Sequence, residues 1–226
     1  MEDKKKPGFR KWIILILVLL GPGIALYTCS KKIASQAKQK MIPLPVIGTL
    51  DDFHLTKEDG EVITLESLKG QITIISTIQN TCPDSCGIQL SQANELLYET
   101  IYTYREEQSE VKIMSIAMDS EGKPIEDFSK VNFVLNKYIR NYDPTIWSVV
   151  TGNAESFYDV VINGNRLYDQ ESKGSYGGKL YMSSLLLIDK SGQVRSMRLG
   201  NGEAQVRDFS GELRGLIGEY RHAAKK

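Results

Sequence analysis

The chain has 226 residues, 28 basic and 28 acidic side chains, a formal net charge of zero and 41% hydrophobic residues. That composition suits one soluble domain of ordinary size with an appendage. Zero net charge and the lack of a basic stripe argue against a nucleic-acid partner, and no internal repeat or low-complexity segment marks a solenoid or a disordered array.

The appendage comes first. Residues 12–28 (WIILILVLLGPGIALYT) carry no charge and follow Lys4, Lys5, Lys6, Arg10 and Lys11. As a helix they span roughly 26 Å, the short end of what crosses a bilayer. Trp12 and Tyr27 stand at the two ends, where amphipathic rings favour the headgroup zone. A cleaved signal peptide is the competing reading, but Leu26, Tyr27 and Thr28 make a poor cleavage site. Cys29 follows Thr28 rather than the small residue that precedes a lipidated cysteine. The segment therefore reads as an uncleaved signal anchor. Residues 1–11 form a cytoplasmic tail, 29–42 a linker and 43–226 the globular domain.

Lys31, Lys32, Lys38 and Lys40 follow the span, so the positive-inside bias is shallow. The short basic tail is still easier to leave in the cytoplasm than to translocate. The domain is thus expected on the outer, periplasmic side of an inner or cytoplasmic membrane, held by a single span, where dithiol chemistry is common. The lysine-rich 31–40 stretch reads as a helix-prone tether or a membrane-surface contact.

After a punctuated lead-in at 43–48, Phe53 to Thr56 and Val62 to Leu65 read as short strands around the turn Lys57–Gly60, an N-terminal β-hairpin. Gln71 to Thr77 is β-branched with apolar residues at successive positions, the mark of a strand buried on both faces. Residues 88–107 place Ile88, Ala93, Leu96, Leu97, Ile101 and Tyr104 at helical spacing. Val111 to Met118 is a second central strand, and 124–140 an amphipathic helix opened by Pro124. Trp147 to Val150 reads as a strand and 153–162 as a short helix. Leu180 to Ile188 and Gln193 to Leu199 form a hairpin around Asp189–Gly192, and 203–221 is a closing amphipathic helix. Strand, helix, strand, then a hairpin and a last helix is a three-layer α/β/α arrangement in the thioredoxin order.

The chemistry is concentrated at Cys82-Pro83-Asp84-Ser85-Cys86, between the first central strand and the helix after it. Two thiols at such a turn can form a disulfide, exchange with another disulfide, or clamp a soft metal. Unpaired N–H groups at a helix N-terminus favour the thiolate, the form that attacks disulfides and ligates metal. The competing reading is two small core residues that happen to be close, against which Pro83 and Asp84 mark an exposed turn starting a helix. The third cysteine, Cys29, is left unpaired and reads as an inert interfacial thiol.

Residues 43–220 resemble the SCO/SenC proteins of cytochrome c oxidase assembly. The resemblance rests on LTKEDGEVITLESLKG (55–70), TCPDSC (81–86), MSIAMDSEGKP (114–124), WSVVTGNAESFYDV (147–160) and LLLIDKSGQVR (185–195). The three-residue spacer between the cysteines separates it from ordinary thioredoxins, which have two. The resemblance implies a membrane-tethered thioredoxin fold that binds copper through two cysteines and one histidine. Such proteins deliver copper to the oxidase's dinuclear copper site or reduce the cysteines that receive it. Counting back from the Asp189–Gly192 turn, the histidine position falls on Tyr181, while His54 and His222 match nothing in the pattern. Gly87 stands where a proline is usual.

A neutral tyrosine is a poor copper ligand, because its phenol must lose a proton with a pKa of about 10. Cu(I) is soft and is satisfied by two or three thiolates or thioethers. Met182 offers a thioether if the register shifts by one, against a reading of plain core packing. Three functions follow. The first is thiol–disulfide exchange, with Cys82 attacking and Cys86 resolving, which needs no histidine. The second is Cu(I) handling by Cys82 and Cys86 as thiolates. The third is a non-catalytic binding module or redox sensor with a static or regulatory disulfide. The expected partners are the copper-site subunit of cytochrome c oxidase or another thiol client, a thiol reductant, and the membrane.

Overall fold

The computed structural model describes residues 43–224, apart from Cys82 and Pro83 and the side chains of residues 84–88 and 176. The expected span at 12–28, the linker and Cys29 lie outside the described residues. Among the described residues no helix is long and apolar enough to cross a membrane.

In chain order the elements are β1 (Gly48–Thr49), β2 (Leu55–Lys57), β3 (Val62–Ile63), α1 (Leu65–Leu68), β4 (Ile72–Gln79) and α2 (Asp84–Ala93). A π-helical turn at Asn94–Tyr98 continues α2 into α3 (Glu99–Thr103). Then come β5 (Val111–Met118), α4 (Ser129–Tyr138), β6 (Trp147–Gly152), α5 (Ala154–Phe157), β7 (Val161–Ile162) and β8 (Asn165–Arg166). Three 3-10 turns, Leu167–Asp169, Tyr176–Gly178 and Leu180–Ser183, precede β9 (Ser184–Ile188), β10 (Gln193–Leu199) and α6 (Glu203–Ala223).

Eight strands form one sheet in the order β1-β10-β9-β4-β5-β6-β2-β3. β4, β5 and β6 run parallel, in a register from Ile72 opposite Val111 to Gln79 opposite Met118. β9 is antiparallel to β4, and β2 antiparallel to β6 through Leu55 opposite Gly152. The N-terminal hairpin therefore extends the sheet beyond β6. At the opposite edge, β1 adds a short strand to β10 that the lead-in sequence did not announce.

Alternation along the central strands divides the core. Ile72, Ile74 and Ile78 of β4 with Val111 and Ile113 of β5 meet Leu97, Ile101, Val131, Leu135, Phe209 and Leu216 from the helices. Ile75, Met114, Ile116 and Leu186 face the other way, onto Phe53, Phe157, Tyr158 and Tyr181. Strands buried on both faces need no strict apolar–polar alternation, which is why β4 and β5 carry apolar residues on both sides. The first face is covered by α2, α3, α4 and α6. The second is covered by the four-residue α5, the β7–β8 hairpin and 3-10 turns, so the expected second helical layer is mostly irregular chain. The topology remains thioredoxin-like.

Four expected elements differ from those observed. The strand at Val62–Leu65 stops at Ile63, because Ser67 Oγ accepts the Thr64 N–H at 3.2 Å and turns Leu65 into the start of α1. Pro124 does not open a helix: it forms an antiparallel bridge with Met118. α4 begins instead at Ser129, whose N–H donates to Asp127 Oδ1 at 2.8 Å. The helix expected over 153–162 is only α5, capped by Asn153. Val161–Arg166 is a hairpin whose turn residues Asn163 and Gly164 both have positive φ (53° and 81°), as a tight hairpin of this twist requires. Finally, Leu180–Ser183 is a 3-10 turn, and the expected strand starts at Ser184.

Candidate dithiol and metal site

β4 ends at Gln79, and the Asn80 N–H still donates to Met118 O at 2.9 Å, holding the chain against β5. Thr81 is exposed and α2 begins at Asp84, so the backbone of Cys86 belongs to the first helical turn. The dithiol segment thus occupies the junction at the carboxyl end of a central parallel strand, where the helix N-terminus favours thiolate. Cys82 and the Cys86 side chain lie outside the described residues, and so do their assigned roles as attacking and resolving thiols.

The 3-10 turn at Leu180–Ser183 lies alongside this end of β4. Thr77 Oγ1 donates to Met182 O at 2.6 Å and Gln79 Nε2 donates to Met182 Sδ at 3.4 Å. Tyr181, 2% exposed, is stacked between Tyr158 (centroids 4.7 Å) and Tyr168 (5.3 Å). Burial, with smaller contributions from Tyr168 and Asp119, pushes its phenol up to about 12. Gly122 has φ +82°, and a Cβ there would lie 2.5 Å from the Tyr181 hydroxyl. Tyr181 is a packed neutral phenol, unsuited to metal at ordinary pH.

Met182 is placed differently. It lines a cavity of about 60 Å³ together with Thr77 of β4 and Gln89, Leu90 and Ala93 of α2. Those helix positions follow 86 by three, four and seven, the spacing of a single helix face. A Cβ on Gly177 would collide with Met182 Sδ, so a glycine there lets the loop close over the thioether. Two amide oxygens at the same strand end, Gln79 Oε1 and Asn80 Oδ1, are buried with no hydrogen-bond partner among the described residues.

The two histidines stand elsewhere. His54 is exposed just before β2, on the β6 side of the sheet, and His222 is exposed on the last turn of α6. Neither adjoins the turn at Leu180–Ser183. Among the described residues no group of three His, Cys, Asp or Glu side chains could hold a metal ion. Sequence reading missed Gln79, Asn80, Gly122, Gly177 and the tyrosine stack. Thr77 and Gln79 did leave a signal: polar residues near the end of a strand covered on both faces.

Comparisons with known proteins follow this geometry. The SCO1/SenC family profile matches residues 47–216. The SCO2-like protein RP587 of Rickettsia prowazekii is 26% identical over 84% of this chain and 89% of its own length. A SCO2-like protein of Rickettsia felis is 24% identical over 91% and 98%. Among solved structures, a SCO1/SenC family lipoprotein from Bacillus anthracis superposes with a TM-score of 0.56 at 19% identity, over 76% of this chain and 97% of its own. BsSco, described with a disulfide switch as a member of the Sco family of cytochrome c oxidase assembly proteins, superposes with 0.52 at 19% identity, over 74% and 94%. A match over 47–216 takes in the hairpin, the dithiol junction and the tyrosine turn alike, and the chain belongs to the SCO1/SenC family.

Proposed function

We propose that this protein acts in maturation of the copper site of cytochrome c oxidase, by thiol–disulfide exchange through Cys82 and Cys86, by handling Cu(I), or by both. The observation that carries the reading is the dithiol sequence at the junction of β4 and α2 in a chain of this family. A family member of the same fold is described as an oxidase assembly protein with a disulfide switch, which supports the same reading here.

In exchange, the Cys82 thiolate attacks a sulfur of a client disulfide. An S–S bond forms between protein and client, and the client's other sulfur leaves as a thiolate. The Cys86 thiolate then attacks Cys82 Sγ, closing an intramolecular disulfide and releasing the second client thiol. The client gains two electrons, Cys82 and Cys86 lose two, and an external thiol reductant restores the starting state. A client with reduced cysteines is the form able to take up copper.

For Cu(I), the residues fit a soft donor set: two cysteines at a helix N-terminus, and no available phenolate at Tyr181. Copper bound there would be cargo for the client, with Cys82 and Cys86 as its thiolates. Residues 12–28 would anchor the chain in the inner or cytoplasmic membrane and leave the domain on the periplasmic side. The competing reading, a binding module or sensor with a static disulfide, differs in every measurable respect below.

The test is titration of the reduced full-length protein with Cu(I) against a competing chelator, alongside a midpoint potential for the dithiol. Binding near one equivalent, or a reversible disulfide that turns over a model substrate, is expected, and Cys82→Ser should abolish both. A protein that does neither, with Cys82→Ser as functional as the parent, is a binding module.

A further inference from the structure

We propose that the cleft at the amino ends of β4, β5 and β6 is a second binding site, for an organic cation: an ammonium or guanidinium group on an apolar stem. The inference goes beyond the function above and uses no atom of the dithiol.

The cleft encloses about 940 Å³, within the roughly 300–1,000 Å³ of small-ligand sites. Part of its wall is the row in which Thr73 pairs with Lys112 and Met114 with Ser148. It therefore opens where β4 starts, whereas the dithiol follows where β4 ends. Ile63, Leu68 and Phe128 give it an apolar side. Two elements meet at one end: the β2–β3 turn brings Glu58, and α4 brings Asn132 and Asn136. Asn132 Nδ2 donates to Glu58 Oε2 at 2.9 Å, which ties the turn to the helix.

The polar groups set the sign of the ligand. Asn136 Nδ2 donates to Asn132 O at 2.8 Å and Gln71 Nε2 to Ser67 O at 3.2 Å. With Asn132 turned to Glu58, each of these amides gives an N–H to the protein and keeps its oxygen as an acceptor. Lys57 is neutralised by Glu61 at 2.6 Å, and Lys112 donates to Thr145 O at 2.9 Å. Glu58 and Asp59 have no cationic partner among the described residues. Thr73, 1% exposed, adds a hydroxyl oxygen with no partner among the described residues. The phenol of Tyr142, in the same wall, is pushed up to about 12, chiefly by burial, with Tyr98, Glu58 and Asp143 adding to the rise. The carboxylate of Glu58 is thus felt inside the cleft. Acceptors outnumber donors here, and the rings of Phe128 and Tyr142 are the kind of wall a cation favours. An anion would meet Glu58 and Asp59, and a purely apolar molecule would strip water from the amide oxygens without replacing it.

The experiment titrates isotope-labelled full-length protein and follows the side-chain amide signals of Asn132 and Asn136 by NMR. The probes are pentylammonium, pentanol and pentanoate, which share a tail and differ in charge, and a capped Leu-Lys-Leu peptide. Saturable shifts are expected with pentylammonium, and binding about tenfold weaker or less with the other two tails. A peptide that binds more tightly than the free amine assigns the site to a lysine or arginine side chain of a partner protein. The reverse order assigns it to a free amine. Glu58→Gln, at an exposed position, should fold and weaken the cation by about tenfold. Asn136→Asp adds a carboxylate at the same end and should tighten it. Equal shifts with pentanol, a preference for pentanoate, or an affinity unchanged in both variants overturns the inference. Each of those outcomes leaves the dithiol function standing, because Cu(I) binding and disulfide exchange are read separately.

Discussion

Tyr181 and Met182 are neighbours in sequence with opposite environments. One is stacked between two tyrosine rings; the other offers its sulfur to an amide and its flank to a cavity. Replacing Tyr181 by histidine tests the family's ligand position directly. The substitution removes the hydroxyl that reaches Gly122 and trims a ring from a fully packed stack, so stability should fall by about 2 kcal/mol, read by denaturant unfolding. In exchange the site gains an imidazole. Cu(II) should then bind more tightly and show an intense thiolate-to-copper absorption that depends on both Cys82 and Cys86. A variant that folds and gains no Cu(II) affinity would show that counting back from Asp189 misplaces the register.

At the scale of elements, the β9–β10 turn shows how a buried charge is kept. Arg195 donates to Asp189 Oδ2 at 3.0 Å, to Glu219 Oε2 of α6 at 2.8 Å and to the Leu44 carbonyl, and its side chain is only 10% exposed. Burial alone would raise the Asp189 carboxyl, but hydrogen bonds from Ser191, Gln193 and Arg195 outweigh it and hold the pKa below its ordinary value. A lowered carboxylate lends stability above the unfolded-state value of about 4 and loses it as the pH falls through the folded value. Arg195→Met leaves Asp189 and Glu219 without their cation and should cost about 3 kcal/mol near neutrality. That deficit should shrink in acid as the pH falls below about 4 and on through the lowered folded value, beneath which Asp189 is protonated in either protein. A deficit independent of pH would show that the loss is one of packing and not of charge.

The elements also show where sequence reading succeeds and where it fails. β4 and β5 were legible because parallel strands covered on both faces carry β-branched and apolar residues on both sides. The dithiol junction was legible because Pro and Asp after an apolar strand signal a helix start. The turn at Leu180–Ser183 was not, since a short apolar run such as LYMSSLLLI has no period that separates a 3-10 turn from a strand. Pro124 misled because its helix-start signal yielded to a tight turn over Asp119–Lys123, which brings Pro124 back to bridge Met118. Thr64–Ser67 hid a helix start because serine replaces the glutamate or glutamine that usually completes a capping box.

For the whole molecule, the uncharged run at 12–28 makes a prediction independent of the domain. The protein should sediment with membranes and resist extraction by salt and by alkaline carbonate. A shortened soluble form with a new N-terminus would show that the run is a cleaved signal.

The chain enters the domain at Leu44, whose N–H donates to Glu219 Oε1 at 2.6 Å and whose carbonyl is gripped by Arg195. This clasp sits beside the β9–β10 turn, which also receives the Gly70 N–H just before β4 begins. The dithiol lies where β4 ends, eight residues or roughly 26 Å further along the strand. The consequence is mechanical. Tension drawn through the leading residues would be borne at the Leu44 clasp and passed into β10 and α6, at the pole where β4 starts. The junction of β4 and α2 lies at the other end of that strand, so a client prising at the thiols and a pull on the leading residues would act on opposite ends of the sheet.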